Sequence, residues 1–128
     1  MSPDALPGAL LVPQPSLEDF PDFVSIPIRI GQHANQWPDK RAVVCEGKSR
    51  TWREFDHRIN KIARTLAGMG IGKGDKIAIL AGNSIEYLET FMGGLRVGAC
   101  VVPLSTMAAA DALEKMLDDC DAKLLFLS

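Results

Sequence analysis

Apolar residues recur along this chain at two different periods, and each change of period marks an element. After Thr51, the residues Phe55, Ile59, Ile62, Leu66 and Met69 follow at steps of four, three, four and three, the spacing of one helical face. Thr51 with Glu54 three residues on forms a capping box, which predicts that the helix starts at that threonine. Gly70 stops it, and a turn punctuated by Gly70, Gly72 and Gly74 leads into the apolar run Ile77 to Leu80. The run is too short for a helix and reads as a strand buried on both faces. Asn83 and Glu86 repeat the capping pattern, with Leu88, Phe91, Met92 and Leu95 as the expected inner face of a second helix closed by Gly98. Ala99 to Leu104 then reads as a second buried strand. Two buried strands joined by a helix through short loops predict a right-handed βαβ unit and hence a parallel sheet.

The flanks of this stretch are less regular. Residues 1–27 hold six of the eight prolines, a density that excludes a regular helix or central strand and predicts an extended or disordered segment. From residue 28 onward the chain reads as one folded unit, 28–128. Ile30, Ala34 and Trp37 mark a short amphipathic helix over Ile28 to Trp37, stopped by Pro38 and Asp39. Ala42 to Cys45, a turn at Glu46 to Lys48, and a short return into Thr51 predict a hairpin. Beyond the central stretch, Leu113, Met116 and Leu117 share one face of a helix from Ala109 to Asp119, and Ala122 to Ser128 reads as a last strand. The predicted fold is therefore α/β: a partial three-layer domain with a mostly parallel sheet and flanking helices, preceded by a short hairpin. A chain ending on a bare parallel strand is expected to be cut from a larger domain.

Composition narrows the function classes. A chain of 128 residues, 47% of them hydrophobic, can bury one core. Its net charge of −2 provides no footprint for nucleic acid or an anionic membrane surface. Cys45, Cys100 and Cys120 are odd in number and lack CxxC spacing, so buried free thiols in a reducing, cytoplasmic compartment are expected. No apolar run approaches the roughly 20 residues of a membrane span, and no basic segment precedes the apolar patch at Gly8 to Pro13 as in a signal peptide.

Candidate chemistry is sparse. His33 and His57 have no metal-like spacing to a carboxylate or cysteine, and a structural or solvent role is expected for each. The glycine series from Gly68 to Gly74 resembles a phosphate cradle, but it follows a helix and opens a strand, the reverse of a dinucleotide fingerprint. No Walker-type run exists. Two places have the topology of a ligand site: Ala81 to Ser84, after one strand and before a helix, and Ser105–Thr106, after the next strand. Backbone N–H groups at such helix starts can hold an anion, the alternative being that Asn83 simply caps its helix. Met92 and Met116 are read as core fillers, and Asp118–Asp119 as a solvated helix end.

The string from Thr51 to Leu80 resembles the early region of the AMP-forming acyl-CoA synthetases, the adenylate-forming superfamily that includes firefly luciferase and peptide-synthetase adenylation domains. Thr51, Trp52, Glu54 and Phe55 match a motif that opens a helix after a hairpin, and Gly70, Ile71, Gly74 and Asp75 match the turn that ends it. Gly93 to Ser105 matches the helix end and proline-containing strand that follow, and Ala112 to Ser128 the next helix and strand. Upstream, His33 to Val44 matches the family's lead-in to its first strand. The resemblance runs from Ile28 to Ser128, nearly four-fifths of the chain.

The resemblance implies an acid–thiol ligase. A carboxylic acid reacts with ATP to form an acyl-adenylate and pyrophosphate, and the thiol of coenzyme A then displaces AMP. ATP, Mg2+ and coenzyme A are the implied cofactors of the parent enzyme and a small carboxylic acid its substrate, a fatty or other aliphatic acid by default. It also implies that the phosphate loop with its lysine, the adenine site and the ribose-binding aspartate lie in later segments. No catalytic, cofactor-binding or metal-ligating residue is therefore assigned to this chain, which is expected to bind no cofactor alone and to need the remainder of its own domain. A free-standing nucleotide-binding or interaction module of α/β type, using the strand ends near Asn83 and Ser105, is the alternative.

Overall fold

The computed structural model describes residues 22–128, so the proline-rich segment lies outside the described residues up to residue 21. Helix α1 spans Ile26–Gln36 and begins two residues earlier than its apolar spacing indicated. Pro27 sits in its first turn, where a missing N–H leaves no intrahelical bond unmade. Strands β1 (Arg41–Cys45) and β2 (Lys48–Thr51) form the predicted antiparallel hairpin. Glu46 and Gly47 in its two-residue turn both have positive φ, 49° and 79°, as a twist-matched tight hairpin requires.

Helix α2 (Trp52–Gly68) follows without a linker. The Thr51 hydroxyl accepts the Glu54 N–H at 3.2 Å, so the expected cap is made. Phe55, Ile59 and Leu66 are buried, but Met69 is 56% exposed rather than part of the inner face. It is the C-cap residue, beyond the last helical turn, where the 3.6-residue period no longer aims side chains inward.

Strand β3 (Lys76–Leu80) is buried on both faces, as Ile77, Ala78 and Ile79 show. It is the middle strand of a three-stranded parallel sheet ordered β4-β3-β5, with β4 at Cys100–Pro103 and β5 at Leu124–Leu127. The register sets Ile77 beside Val101 and Leu124, and Ala78 beside Val102 and Leu125. Strand β4 is thus an edge strand and only half-buried, not the fully buried strand its apolar sequence indicated. The cysteines differ from expectation for related reasons. Cys100 opens the edge strand and is exposed; Cys45 ends β1 beside the hairpin turn and Cys120 ends a surface helix, and both are half-buried.

Helix α3 (Ile85–Arg96) is capped by Ser84, one residue later than Asn83: the Ser84 hydroxyl accepts the Tyr87 N–H at 3.0 Å. Its buried line is also shifted, running through Ile85, Glu89, Gly93 and Gly94, while Leu88, Phe91, Met92 and Leu95 are half-buried. The two glycines explain the shift. A Cβ at Gly93 would lie 2.5 Å from Ile62 Cγ2, and one at Gly94 2.6 Å from Ile77 Cδ1. Only hydrogen at those positions lets α3 press its backbone against α2 and the sheet.

Helix α4 (Ala110–Cys120) has no buried residue, although Leu113, Met116 and Leu117 lie on one face as expected. Met116 is exposed instead of filling a core.

Candidate functional site: the carboxyl edge of the sheet

The order β4-β3-β5 fixes where a ligand site can be. The connection through α3 moves from β3 to β4, whereas the connection through α4 moves back past β3 to β5. Right-handed crossovers in opposite directions put α3 and α4 on opposite faces of the sheet. The loops leaving β3 and β4 therefore diverge, and the crevice between their carboxyl ends is a topological switch point, the usual ligand position in open α/β sheets. These are the two loops that contain Asn83–Ser84 and Ser105–Thr106. The structure brings the two sequence candidates to one edge: Leu104 N–H donates to Ile79 O at 2.8 Å, and Ser128 N–H to Leu80 O at 3.3 Å.

The polar atoms there are largely committed to the fold. Ser84 Oγ caps α3 and Ser105 Oγ accepts the Met107 N–H at 3.2 Å. Asn83 and Thr106 are exposed. Neither loop contains a lysine or arginine. A triphosphate needs positioned cations as well as N–H donors, so these loops do not by themselves fit a nucleotide. Among the described residues, no group of three or more His, Cys, Asp or Glu side chains is placed to hold a metal ion.

The other sequence candidates have structural positions. His33 stacks between Trp37 and Trp52, with ring centroids 5.1 and 4.8 Å away, and His57 is exposed on α2. The glycine series lies at the opposite, amino edge of the sheet. There Asp75 Oδ2 accepts the Gly72 N–H at 2.9 Å, and Oδ1 is 2.7 Å from Lys123 Nζ. The Lys123 hydrogen bond, then the Gly72 N–H, hold the Asp75 carboxyl below its usual range. Gly70 and Gly74 have φ of 80° and 88°, so this is a helix stop and turn.

Two polar clusters escaped the sequence reading. Glu89 is 1% exposed on α3, its Oε2 paired with Arg58 of α2 and its Oε1 3.4 Å from Arg50 Nε of β2 without hydrogen-bond geometry. Arg96, at the end of α3, binds Asp56 Oδ1 and Asn60 Oδ1, both at 2.9 Å, and Pro27 O at 2.7 Å. The mid-helix pair Gly93–Gly94 was the available signal, since paired glycines inside a helical pattern mark a close approach and locate the buried face.

Residues 30–128 match the family of AMP-binding enzymes, well over half of the chain. The chain belongs to that family, the adenylate-forming superfamily. It is 34% identical over 95 residues to a fatty acid–[acyl-carrier-protein] ligase, ScoC, of Streptomyces coeruleorubidus, covering 74% of this chain and 18% of that protein. Among solved structures, a fatty acyl CoA synthetase of Mycobacterium tuberculosis superposes with a TM-score of 0.75 at 31% identity, over 80% of this chain and 21% of the other. The N-terminal domain of FACL13 from the same organism gives 0.77 at 30% identity, over 82% and 27%. The chain thus spans about a fifth to a quarter of these relatives. The α/β fold with its parallel three-stranded sheet and hairpin is that of their N-terminal domain. Among the described residues, no helix is long and apolar enough to cross a membrane.

Proposed function

We infer that these residues form the N-terminal part of the large domain of an AMP-forming acid–thiol ligase. In this reading the whole enzyme activates a carboxylic acid with ATP and Mg2+ through an acyl-adenylate, then transfers the acyl group to coenzyme A. The observation that carries the reading is the family match over residues 30–128 together with the likeness to a fatty acyl CoA synthetase. Family membership also favours it over a free-standing nucleotide-binding module. The likeness to ScoC supports a second acceptor, the thiol of an acyl carrier protein.

This chain's own part is architectural. It offers the crevice between β3 and β4 as one wall of a pocket, with helix-start N–H groups and without cations of its own. Residues 28–128 alone are accordingly expected to release no pyrophosphate from ATP with any carboxylic acid. The test is a pyrophosphate-release assay with aliphatic and aromatic acids, run on the 128 residues and on the longest reading frame containing them. Adding coenzyme A or a carrier protein then separates the two acceptors. Turnover by the 128 residues above a heat-killed control, or none by the longer protein with any acid, overturns the reading.

A further inference from the structure

The β1–β2 hairpin lies outside the parallel sheet, and neither of its strands contains a fully buried residue. Its apolar anchorage is Ala42 and Val43 against the cluster of Ile30, Phe55 and Ile59. Its ion pairs with the body converge on α3. Lys48 and Arg50, two residues apart on one face of β2, lie 3.5 and 3.9 Å from Glu86 Oε1, and Arg50 also faces Glu89 at 3.4 Å. Glu86 and Glu89 are three residues apart and so share a face of α3. Arg58 of α2 takes the other Glu89 oxygen. Glu54 and His57 of α2 line the surface groove beside Arg50 and Arg58.

These contacts differ in their access to water. Glu86 is half-exposed, so salt screens its pairs with Lys48 and Arg50. Its own N–H at the helix start holds its carboxyl below the usual range, with Lys48 and Arg50 adding to the effect, so it is charged at neutral pH. Glu89 is buried, and its carboxylate is balanced by Arg58 on one oxygen and by Arg50, near the other at 3.4 Å without hydrogen-bond geometry. Opening the hairpin withdraws Arg50 and leaves Arg58 as the sole cation on Glu89, which favours the closed position over partly open ones.

We propose that Glu86 and Glu89 form a two-bolt ionic latch that lets the hairpin open as a unit while the β4-β3-β5 sheet stays folded. The inner bolt, Glu89 with Arg50 and Arg58, sets the closed state. The outer bolt, Glu86 with Lys48 and Arg50, makes the closed state responsive to ionic strength.

Backbone amide hydrogen exchange on this chain, at about 0.1 M and 1 M salt, tests the latch. Glu89→Gln is expected to speed exchange in the hairpin about tenfold or more relative to β3. Glu86→Gln speeds it about two- to fivefold and removes most of the salt response of the unaltered chain. Glu86 is half-exposed, so this variant decides the matter even if Glu89→Gln does not fold. Hairpin and β3 amides accelerating together with salt or with Glu86→Gln would overturn the proposal, because the hairpin would then belong to the global folding unit. Hairpin amides unchanged by Glu86→Gln and by salt would overturn it equally.

Discussion

The two ends of helix α2 serve two regions that are held together differently. Its C-terminal half sends Leu66 into the sheet region, where Ile71, Ile77 and Ala99 complete a buried cluster, with Val101, Leu124 and Phe126 packed against it. Its N-terminal half sends Phe55 and Ile59 toward α1 and the hairpin, where Ile30 is the remaining buried member. The sheet region needs few charged contacts because a continuous parallel ladder satisfies its backbone and apolar faces fill its interior. The other region is joined by charged groups spanning elements: Arg96 ties α3 to α1 and α2, and Glu89 ties it to α2 and the hairpin. Apolar burial is non-directional and scales with area, so it suffices where a sheet supplies area. Where a short helix and a two-stranded hairpin supply little, directional pairs fix the geometry.

The largest expected effect is on the sheet region. Leu66 is 1% exposed, and Leu66→Ala should cost about 2–5 kcal/mol in denaturant melts. Both tryptophans, Trp37 and Trp52, lie on the hairpin side in contact with His33, so their fluorescence reports that region while far-UV circular dichroism reports both. Coincident transitions in Leu66→Ala would mean that the two regions unfold as one. A circular dichroism transition that precedes the fluorescence change would separate them.

A smaller effect is expected at the joint. Thr51 ends β2 and caps α2, so Thr51→Ala should cost about 1 kcal/mol through the lost bond to the Glu54 N–H. A change of less than a few tenths would mean that the hairpin, not the cap, fixes the start of the helix.

The smallest effect is at the amino edge of the sheet. Because the Asp75 pKa is lowered in the folded chain, its contribution is present above the unfolded carboxylate value of about 3.9 and is lost as pH falls through the folded value. Asp75→Asn should therefore flatten the pH dependence of stability below about pH 4 and leave the tryptophan region unchanged. The same acid slope in both chains would show that the Asp75–Lys123 contact contributes nothing.

Much of the fold was legible in the sequence because it rests on local rules. The period of Phe55, Ile59, Ile62 and Leu66, the cap at Thr51, the stops at Gly70 and Gly98, and the apolar runs of β3 and β5 each depend on neighbours a few residues away. That the loops at Asn83–Ser84 and Ser105–Thr106 leave carboxyl ends of a parallel sheet was also legible, but the switch point between them rests on the strand order β4-β3-β5, which only the structure supplied. Other features depended on partners remote in the chain. A Glu on an amphipathic helix reads as solvent-facing, and only Arg50 and Arg58, 39 and 31 positions away, make position 89 an interior one. Met69, Cys100 and Met116 are apolar by type, yet they stand at a helix end, on an edge strand and on a helix that nothing among the described residues buries. Sequence pattern determined which segments are helices and strands, because backbone periodicity is a local property. Burial depth and charge pairing were decided only by the tertiary structure, because both depend on which distant surface arrives to exclude water.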